Sequence, residues 1–398
     1  MKTTDEKKQK PLSDSSNGLS VAVLMRHFSR TAGGAESYAV QLVENLCTKH
    51  RITVFAQSFG PEIVGVRYVR IPISKLLPRW INQIWYSIAT WWLSRMRYDV
   101  IHSHENVWHA AVHTIHVKTV HANVAERSAR KGWVNTWLKT YTSPRMLTYL
   151  SMERSRLKPS RYVIFASDGL KQEVLRFFQR NDRNFILTPG VSIPDTKISI
   201  AENISIRAEF GLELHHKIVL FVANDLRKKG LDALLDAIYQ IRLQGNHDVH
   251  LLIAGRSMQD AHYKRHIKTL DLDVNVHFLG IVFDMNRLYE IADCLAHPTT
   301  QDVFPMVVLE AMAHQLPVIT TCAPWNSMSN LLSSGTNALL ISNPFDAHAL
   351  CVAITTCLND SDLNRTLRSN GLVFAKQYQW SNIAAMQTQI YEQARTTQ

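Results

Sequence analysis

Short apolar runs alternate with amphipathic stretches along most of the chain. Residues 21–25 form an apolar run that ends at Arg26-His27. A Gly-Gly pair follows, and then Ala39, Leu42, Val43 and Leu46 recur at helical spacing. This predicts strand, glycine loop, helix. Residues 52–55, 66–71, 100–102 and 162–166 predict further strands, the last backed by a helix over 169–178. The pattern stops in a polar stretch, where Pro194, Asp195 and Asn203 break periodicity, and then begins again. Strands are predicted at 219–223, 249–254, 276–279, 294–297, 318–320 and 338–341. A helix carries Leu231, Leu234, Leu235 and Ile238 on one face. Strands that alternate with helices pair in parallel, so two doubly wound α/β domains are expected, with ligands at the strand C-termini. Ile81, Ile84, Trp85, Ile88 and Trp92 also share helical spacing, and this helix is expected to face the core. A closing helix places Trp380, Ile383, Met386 and Ile390 in register.

A length of 398 residues fits two domains. The expected division is a polar basic tail at 1–19, a first domain at 20–190, a linker at 191–216, a second domain at 217–374 and a terminal helix at 375–398 that crosses back to the first domain. The longest apolar stretch, 84–93, is interrupted by Ser87 and Thr90 and is shorter than the roughly 20 residues of a membrane span. Lys2, Lys7, Lys8 and Lys10 are not followed by an apolar segment, so no secretory signal is read and a cytoplasmic address is expected. The five cysteines form no C-x-x-C pair and are expected as reduced thiols.

The net charge of +11 points to an acidic partner. Most of it is local: residues 117–161 hold ten cations and two acids, for +8. Trp133, Trp137 and Tyr141 recur there at i, i+4, i+8 among Arg127, Arg130, Lys131 and Lys139. That combination suits an acceptor or membrane patch for an anionic lipid or phosphorylated glycan. His102, His104, His109, His113, His116 and His121 crowd the preceding segment, but without H-E-x-x-H or a paired cysteine, so no metal is expected there.

Three loops carry candidate chemistry. Gly33-Gly34 lies between the first strand and helix, where bare backbone and a helix N-terminus suit an anion. Arg227-Lys228-Lys229-Gly230 follows the first strand of the second half and would neutralise charge on a departing diphosphate. In the segment 297–313 a strand ends, Asp302 sits in the loop, Pro305 suits a helix start, and Glu310 shares a helix face with Met306. Backbone N–H groups of Phe304, Met306 and Val307 would face a diphosphate.

This segment resembles the E-x7-E region of family-4 glycosyltransferases of the GT-B fold, two Rossmann-like domains facing a central cleft. The resemblance covers about residues 21–391 and is nearer to lipopolysaccharide core glucosyltransferases of Gram-negative bacteria than to sucrose or trehalose enzymes. It implies that Glu310 bonds the ribose, that Asp302 addresses the sugar, and that Lys229, with Lys228 or Arg227, stabilises the leaving diphosphate. It further implies that Gly34 belongs to the donor site and that His116, closing the strand Val112-His113-Thr114-Ile115, faces the transferring sugar. Asp302 stands where the family usually has Glu, and Pro305 where it usually has Gly. The implied reaction is retaining hexosyl transfer from a nucleotide sugar, UDP-linked by preference, without a metal or other cofactor. The implied acceptor is a lipid-linked envelope glycan at the cytoplasmic face of the inner membrane, with the enzyme held there peripherally and no nucleic acid involved. Two other classes fit the charge or the fold: a basic nucleic-acid binder, and an inactive GT-B scaffold of an envelope assembly complex.

Overall fold

The structure is a computed structural model that describes residues 18–30, 32–131, 140–180, 182–255 and 261–396. Trp133, Trp137 and Lys139 lie outside these residues, as do the side chains of Arg130 and Lys131. The chain divides into two compact units, Met1–Thr188 with Trp380–Gln398, and Pro189–Gln379.

The first unit contains β1 (Ser20–Leu24), β2 (His27–Phe28), α1 (Gly34–Leu46), β3 (Arg51–Ala56), β4 (Ser58–Phe59), β5 (Arg67–Arg70) and α2 (Arg79–Ser94). It continues with β6 (Val100–Ser103), β7 (Val112–Ile115), α3 (Val120–Lys131), α4 (Pro144–Arg156), β8 (Tyr162–Phe165), α5 (Asp168–Leu175) and β9 (Asn184–Ile186). Seven strands form a parallel sheet in the order β5-β3-β1-β6-β7-β8-β9, while β2 and β4 pair separately. The apolar runs at 21–25, 52–55, 100–102 and 162–166 are β1, β3, β6 and β8 inside this sheet, where both faces are covered, while 66–71 is the half-exposed edge strand β5.

The second unit holds α6 (Ile200–Glu209), β10 (Lys217–Val222), α7 (Leu231–Leu243), β11 (Val249–Ala254), α8 (Ala261–Thr269), β12 (Val276–Gly280) and α9 (Met285–Ile291). After these come β13 (Cys294–His297), α10 (Met306–Ala313), β14 (Val318–Thr321), β15 (Leu339–Ile341), α11 (Ala347–Asn359) and α12 (Ser361–Lys376). Its six parallel strands run β12-β11-β10-β13-β14-β15. The strand order reverses beside β10, so β10 and β13 open their C-terminal ends at the switch point, where α/β sheets place ligands.

Three elements depart from the sequence reading. The stretch 191–216 contains α6, and Val191, Ile206 and Leu212 are buried in one core cluster of the second unit. α13 (Trp380–Arg395) packs its Trp380, Ile383, Ile390 and Tyr391 into the first unit's core, but Met386 is exposed and the buried position beside it is Gln387. The largest departure is α2. Its buried face is Asn82, Gln83, Tyr86, Ser87, Thr90 and Ser94, whereas Trp85, Ile88, Trp91 and Trp92 are exposed. The polar side is satisfied within the protein. Asn82 bridges the carbonyls of Ser74 and Leu77, Gln83 donates to Asn106 O, and Tyr86 donates to Phe55 O at 2.8 Å. Ser87, Thr90 and Ser94 donate back to carbonyls one turn earlier.

Candidate functional site

β10 feeds a basic loop that ends at Gly230, the N-cap of α7, with φ of 85°. A Cβ at Gly230 would stand 2.1 Å from the carbonyl oxygen of Pro298. Only glycine permits this approach together with this φ. The contact brings the basic loop against the loop that leaves β13. There, the backbone N–H and hydroxyl of Thr300 both donate to Lys228 O, at 2.8 and 2.9 Å.

Across this seam the Lys229 ammonium pairs with Asp302 Oδ2, and His297 Nε2 lies 3.1 Å from the same oxygen. Asp302 is fixed from its backbone as well: its N–H donates to Trp325 O, and its C=O accepts from Ser327 N–H at 3.1 Å. Burial alone would raise the Asp302 pKa, but the hydrogen bonds from His297 and Lys229 outweigh it and hold the carboxyl below its ordinary value. His297 is buried and its pKa is lowered by burial, so a neutral ring donates from Nε2. Its Nδ1 is left without a hydrogen-bond partner.

α10 begins four residues after Asp302. Pro305 occupies its N-cap and no side chain caps it, so the donors of its first turn are directed out of the helix. Phe304, Met306 and Val307 are all half-buried here. Glu310 lies one turn in and accepts from the Tyr289 hydroxyl at 2.7 Å. Burial raises the Glu310 pKa, against the opposing pull of Tyr289 and His314. Arg227 and Lys228 are exposed, with Lys228 Nζ 3.5 Å from Asp225. The second unit thus assembles Lys229, Asp302 and Glu310 around two loops and one open helix start.

In the first unit, α1 starts at Gly34 with Gly33 as its N-cap, and a Cβ at Gly34 would meet nothing within 4 Å. His116 follows β7 directly and stacks on His104, with His104 Nδ1 2.9 Å from His116 Nε2. Tyr38 packs edge-on against His116 at 5.0 Å. Burial, helped by Arg156, pushes the His116 pKa down to about 4. His102 is structural: its two nitrogens meet Tyr391 and Thr114, and burial lowers it to about 3. His121 bonds Glu153 at 2.6 Å, and His113 is buried with neither nitrogen paired.

Two family models match the chain: Glycosyltransferase Family 4 over residues 32–193, and Glycosyl transferases group 1 over residues 202–373. Together they take in most of its length. The chain is a family-4 glycosyltransferase. It is 26% identical over 233 residues to the lipopolysaccharide glucosyltransferase WaaG of Escherichia coli, a match covering 57% of this chain and 61% of that one. The crystal structure of WaaG superposes with a TM-score of 0.70 at 20% identity, covering 93% of this chain and 99% of WaaG. Anabaena HepE, solved with UDP and glucose, gives a TM-score of 0.67 at 18% identity over 94% and 99% of the two chains. The fold is GT-B.

Two polar partners in this glycosyltransferase were missed from sequence, His297 and Tyr289. His297 carried a signal, since it closes an apolar strand five residues before Asp302; Tyr289 carried none. The basic segment also differs from expectation. Arg156 is buried and Arg161 half-buried, and Arg161 donates to Trp108 O. Arg127 is exposed, while Arg154 and Lys158 border an open hollow of about 520 Å³ with Tyr141 and Leu147. Among the described residues, two groups bring metal-capable atoms within 4.8 Å: His215 with His216 and Asp248, and Asp232 with His262 and His266. Neither contains Lys229, Asp302, Glu310 or His116.

Proposed function

We propose that this glycosyltransferase moves a hexosyl group from a UDP-sugar to a hydroxyl of a lipopolysaccharide core or related envelope glycan, with retention at the anomeric carbon. The observation that carries the reading is Lys229 held against Asp302 beside the uncapped start of α10. A diphosphate placed there meets an ammonium and a helix N-terminus, both of which favour its charge. Lys229, with Lys228 or Arg227, stabilises the departing diphosphate. Glu310 accepts from the ribose hydroxyls, Asp302 accepts from the sugar hydroxyls, and His116 of the first unit meets the transferring sugar. Gly34, whose Cα is open, admits the donor to bare backbone.

The bond from the anomeric carbon to the diphosphate oxygen breaks while a bond to the acceptor oxygen forms on the same face. The acceptor proton passes to the leaving phosphate, so no protein base and no metal is called for. Support for UDP comes from the likeness to HepE solved with UDP, and support for the acceptor from the likeness to WaaG. The acceptor is an anionic lipid-linked or phosphorylated glycan, met at the cytoplasmic face of the inner membrane.

Thermal shift against a panel of nucleotide sugars, followed by transfer assays, tests the reading. UDP or a UDP-sugar stabilises the wild type. Lys229→Ala, Glu310→Ala and His116→Ala that remain folded lose transfer by at least about tenfold. Wild-type rates in all three overturn the assignment. No shift with any nucleotide sugar favours the inactive scaffold.

A further inference from the structure

α2 is amphipathic in the reverse of the usual sense. Asn82, Tyr86, Thr90 and Ser94 recur every fourth residue on the buried side, and their hydrogen bonds close within the unit. The outward side carries Trp85, Ile88, Trp91 and Trp92, with Trp92 62% exposed. Exposed apolar side chains continue in the two flanks, and the Trp85 indole N–H, which donates to Pro72 O, ties the first flank to this face. Ile73 and Leu77 are exposed before the helix, Leu76 is 95% exposed, and Met96 just after it is 99% exposed. Isolated exposed apolar side chains are ordinary on any protein, but a contiguous face of this kind marks a surface that meets something.

The charge around the face says what it meets. Residues 63–98 contain Arg67, Arg70, Lys75, Arg79, Arg95 and Arg97 and no Asp or Glu. Lys75, Arg79, Arg95 and Arg97 are exposed at the two ends of α2, and the Arg95 guanidinium lies over the rings of Trp91 and Trp92, at 4.8 and 4.2 Å. A second copy of the chain meeting this face across a two-fold axis would set cations on cations without an acid to relieve them. A bilayer with anionic headgroups satisfies both features, since acyl chains accept the indoles and phosphates accept the cations. No described helix is long and apolar enough to cross a membrane, which leaves α2 lying along the surface.

We propose that the outward face of α2, from Ile73 to Arg97, binds the surface of an anionic lipid bilayer. The inference rests on α2 and its flanks alone, and its readout does not depend on the proposed transfer reaction. It also separates this face from the basic segment 117–161.

The test is co-sedimentation of the full chain with vesicles of phosphatidylcholine alone and of phosphatidylcholine mixed with phosphatidylglycerol. The variants are Ile88→Gln/Trp91→Gln/Trp92→Gln and, separately, Arg79→Gln/Arg95→Gln/Arg97→Gln. Trp85 is left in place because its indole N–H donates to Pro72 O at 3.0 Å. All substituted side chains are exposed, and circular dichroism checks that the fold persists. The wild type binds phosphatidylglycerol vesicles and is released by salt. The apolar variant loses at least about tenfold in partitioning, and the arginine variant loses its preference for the anionic lipid.

Four results overturn the proposal. They are no binding by the wild type, equal binding by the apolar variant, equal binding of the wild type to both lipids, and a wild-type dimer that the apolar variant dissociates without any vesicle binding. If Arg127→Gln/Arg145→Gln/Arg154→Gln abolishes binding while the α2 variants bind fully, the basic segment is the membrane surface instead.

Discussion

Asp302→Asn tests the electrostatic centre of the second unit. The carboxylate accepts from Lys229 and from His297 on Oδ2, and its Oδ1 lies 3.0 Å from the Val303 N–H. Asparagine keeps the shape and one acceptor, which His297 can still use. It removes the counter-charge of Lys229. A hydrogen bond to a charged partner contributes about 1.5–3 kcal/mol net. The Lys229 and Asp302 side chains retain 23% and 18% of their exposure, so water recovers part of this and the loss is about 1–2 kcal/mol. For a unit of this size that lowers the melting temperature by about 2–8 °C at pH 7. The pH dependence separates a charge effect from simple misfit. Because the Asp302 pKa is depressed in the folded protein, its contribution is full above the unfolded value of about 3.9 and is lost as pH falls towards the folded value. Calorimetry of both proteins should therefore show a constant gap from pH 8 to 5 that narrows below about pH 4. Equal stability at pH 7, or a gap that persists unchanged into acid, refutes the ion pair as the source.

Glu310→Gln should separate stability from function. Burial raises the Glu310 pKa, so its stabilising protonated form is lost as pH rises through that value, and the amide is expected to be at least as stable as wild type at pH 7 by calorimetry. If Glu310 accepts from the ribose hydroxyls as proposed, the same change should cost about 10–100-fold in UDP affinity by titration calorimetry; undiminished affinity contradicts the ribose assignment. In the first unit, burial lowers His102 to about 3 and both His109 and His116 to about 4. Neutral in the folded state, they give stability that is full above the unfolded value of about 6.5 and is lost on acidification, at roughly 1 kcal/mol per histidine per pH unit. The imidazole nitrogen resonance of His116 should stay that of a neutral ring down to about pH 5, and a titration near 6.5 would show the ring to be solvated.

The central parallel strands were legible because they are buried on both faces and read as apolar runs, as in Leu24 with its neighbours or Cys294 through Ala296. β9 was not, since its Asn184 and Phe185 are only half-buried and Ile186 is exposed. α6 was hidden by the polar residues that flank it, and only Ile206 and Arg207 of that helix are buried. α2 shows what periodicity cannot say. Spacing at i, i+3, i+4 establishes that a helix has an apolar side, but not which side the rest of the chain covers. The small hydroxyl residues at Ser87, Thr90 and Ser94 were the overlooked sign, since they satisfy themselves on their own helix and can be buried at little cost. Around Lys229 and Asp302 the residue types and loops were legible. The direct pairing of Lys229 with Asp302 was not, because it depends on how closely two loops 73 positions apart approach, and that distance is set by Gly230.

The placement of α13 bears on how the protein is made. Domains of a nascent chain usually complete in the order of synthesis. Here the first unit takes Trp380, Ile383, Ile390 and Tyr391 into its core, and Tyr391 also supplies the hydroxyl that meets His102. The second unit ends at Gln379 and has every residue it needs before α13 is synthesised. The half that leaves the ribosome first is therefore the half that must wait for α13, and a chain stopped at Gln379 would carry a complete second unit and a first unit with an open core.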